Sequence, residues 1–308
     1  MFLSLPITSL LLGALSAAAL PATAGEGGAC EPGGFPAHWI SGGPDCGSEP
    51  ELQVHAYNED FYVLRQSLCT HYEAPFLYLI FGDERALLLD TGSALTFDLY
   101  AHVKRVVDAW KSAHGVTQYQ LVVGHTHAHG DHIGGDAQFA GKPDVRLIEP
   151  GLAANVQFFG FTNWPEDIVS YDLGNRVLDL IPIPGHEESS IAFYDRRTCL
   201  LLTGDTLYPG RLYIPGAQSM GQWSVYKASV QRLVDFTAVN PVAWVLGCHI
   251  EMTLRPGVDY PFLVDWHPFE HELQLGLDDL LMLHEVLALA GNVIKIYELR
   301  EFIVYPIN

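Results

Sequence analysis

The stretch Gly124-His125-Thr126-His127-Ala128-His129-Gly130-Asp131-His132 holds four histidines and an aspartate within eight positions. Leu121-Val122-Val123 precedes it, an apolar run that reads as a buried strand. Ile133-Gly134-Gly135-Asp136 follows and reads as the opening of a helix. The histidines therefore occupy a turn at a strand end, where side chains converge on one point. A solvated loop accounts for a single histidine. Neutral imidazoles crowded beside a carboxylate are metal ligands by chemical type. A plain His-rich loop also leaves the ligand-type residues further along the chain unexplained.

Those residues are Gly185-His186, Thr203-Gly204-Asp205-Thr206 and Gly247-Cys248-His249. In this order after His127-x-His129-x-Asp131-His132, they resemble the metallo-β-lactamase superfamily over about residues 52–250. The resemblance implies an α/β (α+β) fold, a four-layer αββα sandwich with the site along one edge. It implies that His127, His129 and His186 bind one metal, that Asp131, His132 and His249 bind a second, and that Asp205 bridges the two. Two zinc ions suit such ligands, and iron or manganese also fit. A hydroxide held between the ions would be the nucleophile, and Asp131 could orient it or accept a proton. Asp90, in Asp90-Thr91-Gly92, corresponds to a residue that braces the metal loop rather than binding metal.

The bridging position separates branches of the family. Asp205-Thr206-Leu207-Tyr208 looks like the glyoxalase II and lactonase type of site, whereas β-lactamase branches commonly lack that carboxylate. Residues 208–213 depart from the continuation usual in glyoxalase II, so a glutathione thioester is disfavoured. The expectation is an exported, dinuclear zinc-dependent hydrolase acting on a small ester, lactone, thioester or amide. The alternatives are a β-lactamase and a mononuclear iron oxidoreductase similar to persulfide dioxygenases. Flavin-linked di-iron members carry Glu where this chain has His129. Tyr208, Arg211 and Tyr213 are candidate substrate contacts, with Arg211 a candidate partner for a substrate carboxylate.

Outside the motif, residues 1–24 have an apolar core and end in Ala22-Thr23-Ala24, a small-x-small cleavage pattern. They read as a signal peptide, with a secreted or periplasmic protein and no membrane association after cleavage. Residues 25–50 are Gly- and Pro-rich and read as an irregular arm. Residues 51–308 read as the metallo-β-lactamase-like domain, with a C-terminal extension from about 257. Asp and Glu number 36 against 16 Lys and Arg, a formal balance of −20. That balance disfavours nucleic acid and anionic membrane surfaces, because nothing neutralises phosphates. The expected partner is a small-molecule substrate; oligomeric state stays open.

Of five cysteines, Cys30 and Cys46 are the candidate pair, Cys199 reads as core, and Cys248 is expected to point away from His249 along its strand. His125 reads either as a partner behind the ligands or as exposed, with exposure preferred, and His71 either as a rim residue or, preferred, as a plain loop residue. Residues 96–113 show helical spacing of Leu99, Val103, Val106, Val107 and Trp110. Residues 151–165 read as an aromatic loop that either walls a substrate pocket or packs as core. Residues 222–236 and 273–289 read as helices, and 292–298 with 302–305 as a last strand pair. His267-Pro268-Phe269-Glu270-His271 matches H-x-x-E-H. We set it aside as a second metal site, because Pro268 permits only a helix start and a complete ligand set exists elsewhere.

Overall fold

A computed structural model describes residues 29–44, 46–217 and 220–307; the expected signal peptide lies outside the described residues. The first half of the chain builds a sheet of six strands in sequence order. They are β1 (Leu52–Asn58), β2 (Phe61–Gln66), β3 (Phe76–Phe81), β4 (Arg85–Leu89), β5 (Gln120–Gly124) and β6 (Val145–Leu147). The first four pair antiparallel, and β4, β5 and β6 pair parallel. Helix α1 (Leu99–His114) makes the crossover from β4 to β5. The short helices α2 (Gly130–Ile133), α3 (Asp136–Phe139) and α4 (Leu152–Phe159) follow the β5 turn and β6.

The second half continues with β7 (Val169–Asp172), β8 (Val177–Pro182), β9 (Ile191–Asp195), β10 (Leu200–Gly204), β11 (Arg211–Pro215), α5 (Met220–Thr237), β12 (Trp244–Gly247) and β13 (Gln274–Leu275). It closes with α6 (Leu277–Ala290), β14 (Tyr297–Glu298) and β15 (Ile303–Ile307). A second six-stranded sheet runs β13-β12-β10-β9-β8-β7, and a small third sheet runs β11-β15-β14.

Strand side chains alternate between faces, so a strand apolar at every position needs cover on both sides. In β3, Phe76, Tyr78 and Ile80 join a core with Leu178, Leu180, Phe193, Leu200 and Leu202 of the second sheet. The intervening Leu77, Leu79 and Phe81 pack outward against Leu99, Val103, Val107 and Trp110 of α1. On the far side, Ile181, Ala192, Leu201 and Val245 meet Trp223, Tyr226, Val230 and Leu233 of α5 and Leu280, Leu283 and Leu287 of α6. Helix, sheet, sheet and helix are thus stacked, the expected αββα sandwich. Each fully buried Leu or Phe in these layers stabilises the fold by roughly 1.5–3 kcal/mol.

The cysteines pair differently from the expectation. Cys30 bonds to Cys199 and Cys46 to Cys69, which leaves Cys248 free and buried. Cys199 is core as expected, but it is also bridged. The Cys30–Cys199 bond fastens the arm to the turn before β10, where the Glu31 amide also donates to the Arg197 carbonyl. Residues 151–165 are not all loop, because α4 occupies their centre. Its Phe159, with Phe161, is buried in the inter-sheet core, so the aromatic segment is core. The C-terminal helix starts later than expected. Gly276 is its N-cap, and the Asp279 carboxylate accepts from the Gly276 amide at 2.8 Å.

Candidate metal centre

The ligand-type residues arrive from five places along one edge of the sandwich. The turn after β5 delivers His127 and His129, and the α2 turn delivers Asp131 and His132. His186 comes from the β8–β9 turn, Asp205 from the residue after β10, and His249 from just beyond β12. Gly185 has φ +142, and a Cβ there would stand 2.6 Å from the Tyr226 Cα. Only glycine lets this turn lie against α5 and aim His186 at the centre.

The donor atoms form two groups, His127–His129–His186 and Asp131–His132–Asp205–His249. In the first, His129 Nδ1 lies 3.1 Å from His127 Nε2 and 2.9 Å from His186 Nε2. In the second, Asp131 Oδ2 lies 3.3 Å from both His132 Nε2 and His249 Nε2. Asp205 turns one oxygen to each group. Its Oδ2 is 3.6 Å from His186 Nε2 and 3.9 Å from His127 Nε2, and its Oδ1 is 3.4 Å from the Nε2 atoms of His132 and His249. Ligands about 2.0–2.1 Å from one tetrahedral ion stand about 3.4 Å apart. The observed spacings bracket that edge in both groups.

Three of these atoms, His132 Nε2, His249 Nε2 and Asp205 Oδ1, are buried without a hydrogen-bond partner. Such atoms are rare in native proteins, and an ion is one of the few things that satisfies them. Burial holds His127 and His186 below the ordinary histidine range, so both rings present a lone pair. At His132 and His249 burial acts the same way, but Asp131 and Asp205 outweigh it and push both rings up. Burial likewise works to raise the two carboxyls, and the neighbouring histidines overcome it and hold both low. The carboxylate pair thus demands positive charge between these rings, which a dication supplies.

The opposite ring nitrogens are also fixed. His132 Nδ1 bonds to Asp90 Oδ2 at 2.9 Å, His186 Nδ1 to the Tyr213 carbonyl at 2.8 Å, and His249 Nδ1 to the Glu73 carbonyl at 2.9 Å. Each bond selects the tautomer that frees Nε2 for the centre. Asp90 is fully buried with φ +68, an uncommon conformation for a non-glycine residue. Its carboxylate also accepts from the Thr126 amide at 2.7 Å and the Thr126 hydroxyl at 2.8 Å. Asp90 therefore ties β4 to the histidine turn.

Cys248, His132 and Asp90 form a third cluster of ligand types. Burial pushes the Cys248 thiol up to about 12, so it remains a thiol. It lies 3.5 Å from Asp90 Oδ2, the oxygen that also bonds to His132 Nδ1. A protonated sulfur facing a carboxylate already bonded to His132 is a poor ligand.

Several expectations are corrected. His125 is fully buried rather than exposed; its Nε2 is 2.9 Å from Asp136 Oδ1, which also accepts from Thr91 Oγ1. Arg211, which lines the cavity at the centre together with Tyr208 and Tyr213, already has acidic partners. Its Nη2 is 2.6 Å from Asp259, donates to the Tyr260 carbonyl, and its Nη1 is 3.6 Å from Glu251. The Tyr208 hydroxyl donates to the Arg211 carbonyl, and its ring stands 5.4 Å from that of His249. His71 stacks on Tyr72. In the H-x-x-E-H stretch, Glu270 holds Arg65 through two bonds and His267 through one, while His271 bonds to Glu301. Among the described residues this stretch forms no metal-ligand group.

The centre opens into a cavity of about 410 Å³, within the usual range for small-molecule sites. Tyr213, Pro215, Phe262, Tyr305 and Ile307 give it an apolar wall, with Glu73 at the edge. The sequence pointed to Tyr213 but not to Phe262, Tyr305 or Ile307. Tyr305 is the register partner of Tyr213 across β11 and β15, with ring centroids 5.4 Å apart. No local signal marks a residue more than ninety positions away as part of the same wall.

An αββα sandwich with histidine and carboxylate clusters along one edge defines a metallo-hydrolase type of protein. Residues 74–238 match the family described as the metallo-beta-lactamase superfamily, and the chain belongs to it. It is 26% identical to the acyl-coenzyme A thioesterase MBLAC2 of Homo sapiens over 204 residues, covering 56% of this chain and 72% of that one. It is 33% identical to a hydroxyacylglutathione hydrolase of Ectopseudomonas mendocina (strain ymp) over 150 residues, covering 47% of this chain and 52% of that one. The solved structure of VMB-1 superimposes with a TM-score of 0.51 at 14% identity, over 79% of this chain and 100% of that one. That likeness is one of fold.

Proposed function

We propose that the chain is an exported, dinuclear zinc-dependent hydrolase acting on a small ester, lactone, thioester or amide. The observation that carries the reading is the split Asp205 carboxylate, with Oδ2 toward one histidine group and Oδ1 toward the other. Two buried donor groups sharing one bridging carboxylate suit two ions. A single ion at the His127–His129–His186 group would leave His132 Nε2, His249 Nε2 and Asp205 Oδ1 without a partner, and a single ion at the other group would leave those three histidines crowded with none. This favours two metals over the mononuclear iron alternative.

When bound, the two dications would supply Lewis-acid polarisation of the reacting carbonyl and acidify water to near neutrality. His127, His129, His186, His132 and His249 would hold them, with Asp131 and Asp205 providing the compensating charge. Asp131 is 19% exposed at its side chain, against 8% for Asp205, so it faces the cavity as well as the second group. There it orients the attacking group. Tyr213 and Tyr305 offer aromatic faces to the part of the substrate that does not react. The substrates that the relatives are named for, acyl-coenzyme A and hydroxyacylglutathione, support small-molecule acyl transfer to water as the reaction class.

Export is supported by the apolar leader at residues 1–24 and by two disulfides, which persist in oxidising compartments. N-terminal sequencing of secreted protein starting at Gly25 checks this part.

Elemental analysis tests the centre. The expected result is two zinc ions per chain, in keeping with the two donor groups. Asp131→Ala should then lose one ion and lower kcat by on the order of 10²-fold or more, the scale of losing one preorganised electrostatic group. One iron per chain, or full turnover in Asp131→Ala, overturns the dinuclear reading.

A further inference from the structure

Arg211 is the one permanently cationic side chain among the described residues lining the cavity. It is already taken. Its guanidinium pairs with Asp259 at 2.6 Å, donates to the Tyr260 carbonyl, and faces Glu251 at 3.6 Å. The backbone amide of the same residue donates to Glu251 at 2.6 Å. A substrate phosphate or carboxylate reaching Arg211 would have to displace Asp259 and leave that carboxylate without its partner. Beyond the candidate ligands, the rest of the wall is Tyr208, Tyr213, Pro215, Phe262, Tyr305 and Ile307 with the Glu73 carboxylate, which together offer an anion no charge-assisted donor from a Lys or a free Arg.

We infer that Asp259 sets the substrate class: by holding Arg211, it fits the site to an uncharged ester or lactone with an apolar tail and turns away polyanionic thioesters. The inference rests on the hydrolase reading above and narrows it. Coenzyme A carries several phosphate charges at the far end of its pantetheine arm and glutathione carries two carboxylates nearer the sulfur, and each is held best where cationic partners line the way out from the reacting group. An alkyl or aryl tail needs only the paired Tyr213 and Tyr305 rings and the side chains beside them. Phe262 is 59% exposed at the mouth, against the edge of Tyr72 at 5.6 Å, and extends that apolar surface outward. Asp259 belongs to the 252–272 segment, so the selectivity is assigned by a part of the chain remote in sequence from the ligand motif.

The test compares two substrates sharing one octanoyl group, 4-nitrophenyl octanoate and octanoyl-coenzyme A, on the metal-loaded full chain. The neutral ester is expected to have at least about tenfold higher kcat/KM, as like-charge juxtaposition in a site predicts. Asp259→Asn removes the carboxylate closest to the Arg211 guanidinium and should shrink that ratio several-fold, with the change carried by the KM for octanoyl-coenzyme A. Asp259→Glu should restore the wild-type ratio, which a purely structural role would not predict. Calorimetry with two unreactive ligands, S-octyl-coenzyme A and N-octyl-valerolactam, reads the same preference on the wild-type chain without turnover. Tighter binding of the coenzyme A thioether, no detectable lactam binding, or a ratio unmoved in a folded Asp259→Asn overturns the inference. If neither octanoyl substrate is hydrolysed while the lactam binds better, the hydrolase reading fails and the preference for an uncharged ligand stands.

Discussion

At the scale of single residues, the centre depends on side chains that touch no substrate. Asp90 collects the Thr126 amide, the Thr126 hydroxyl and His132 Nδ1 on one buried carboxylate, and so sets where two turns meet. Asp90→Asn keeps a side chain that tolerates φ +68 but removes one acceptor. Metal affinity should fall about 10–100-fold, the usual effect of losing an outer partner of a ligand histidine. Competition with a chromophoric chelator measures it, and an unchanged affinity would remove Asp90 from the centre. The ligand residues themselves were legible in the sequence, because His127, His129, Asp131 and His132 crowd one strand-end turn. The roles of His125 and Arg211 were not, because each depends on an acidic partner, Asp136 or Asp259, brought in by folding.

Among the elements, the two sheets are joined by more than apolar contact. Arg176, in the turn before β8, is buried and donates to Asp195 at 3.1 and 2.5 Å. It also donates to the Asp60 and Phe81 carbonyls of the first sheet, at 2.8 and 3.0 Å. Arg176→Met leaves Asp195 buried without its cation and should destabilise the fold by about 3–5 kcal/mol. Urea unfolding measures the loss, and Arg176→Met combined with Asp195→Leu should recover part of it. A small loss in the single variant would mean that Asp195 is satisfied by Thr198 and Arg197 alone. Helix α1 was legible because Leu99, Val103, Val107 and Trp110 recur at helical spacing. Helix α4 was not, because its eight residues are nearly all apolar or small and mask any period. Strand β11 was not anticipated for a related reason: Pro209 and Gly210 precede it and Pro215 ends it, and such residues are typical of turns.

Across the whole molecule, the arm and the second sheet are closed by a bond spanning 169 residues, and the arm and the β2–β3 loop by one spanning 23. On the loop-entropy account, these constrain the unfolded chain by roughly 5 and 3 kcal/mol respectively, less where the loops overlap. Reduction should therefore lower the unfolding midpoint markedly, and Cys30→Ser should lower it more than Cys46→Ser. Thermal scans with and without reductant check this. Equal midpoints in the two variants would place the stabilisation in the native contacts of the arm instead.

What the sequence determined by itself was the class of fold, the family and the metal-ligand candidates. The strand and helix periods and the crowded turn are local, and the resemblance to the family adds the order of His186, Asp205 and His249 further along the chain. Only the tertiary structure decided the pairing of Cys30 with Cys199, the pairing of Arg211 with Asp259, and the wall built by Tyr213 with Tyr305. Each joins residues tens to more than a hundred positions apart. Whether such residues meet depends on how sheets stack and where loops return. Residue types alone offer many partners of equal chemistry, as five cysteines and 36 acidic residues do here. The candidate metal ligands thus lie at strand ends, whereas much of the cavity wall beside them is assembled by the chain's later segments folding back over them.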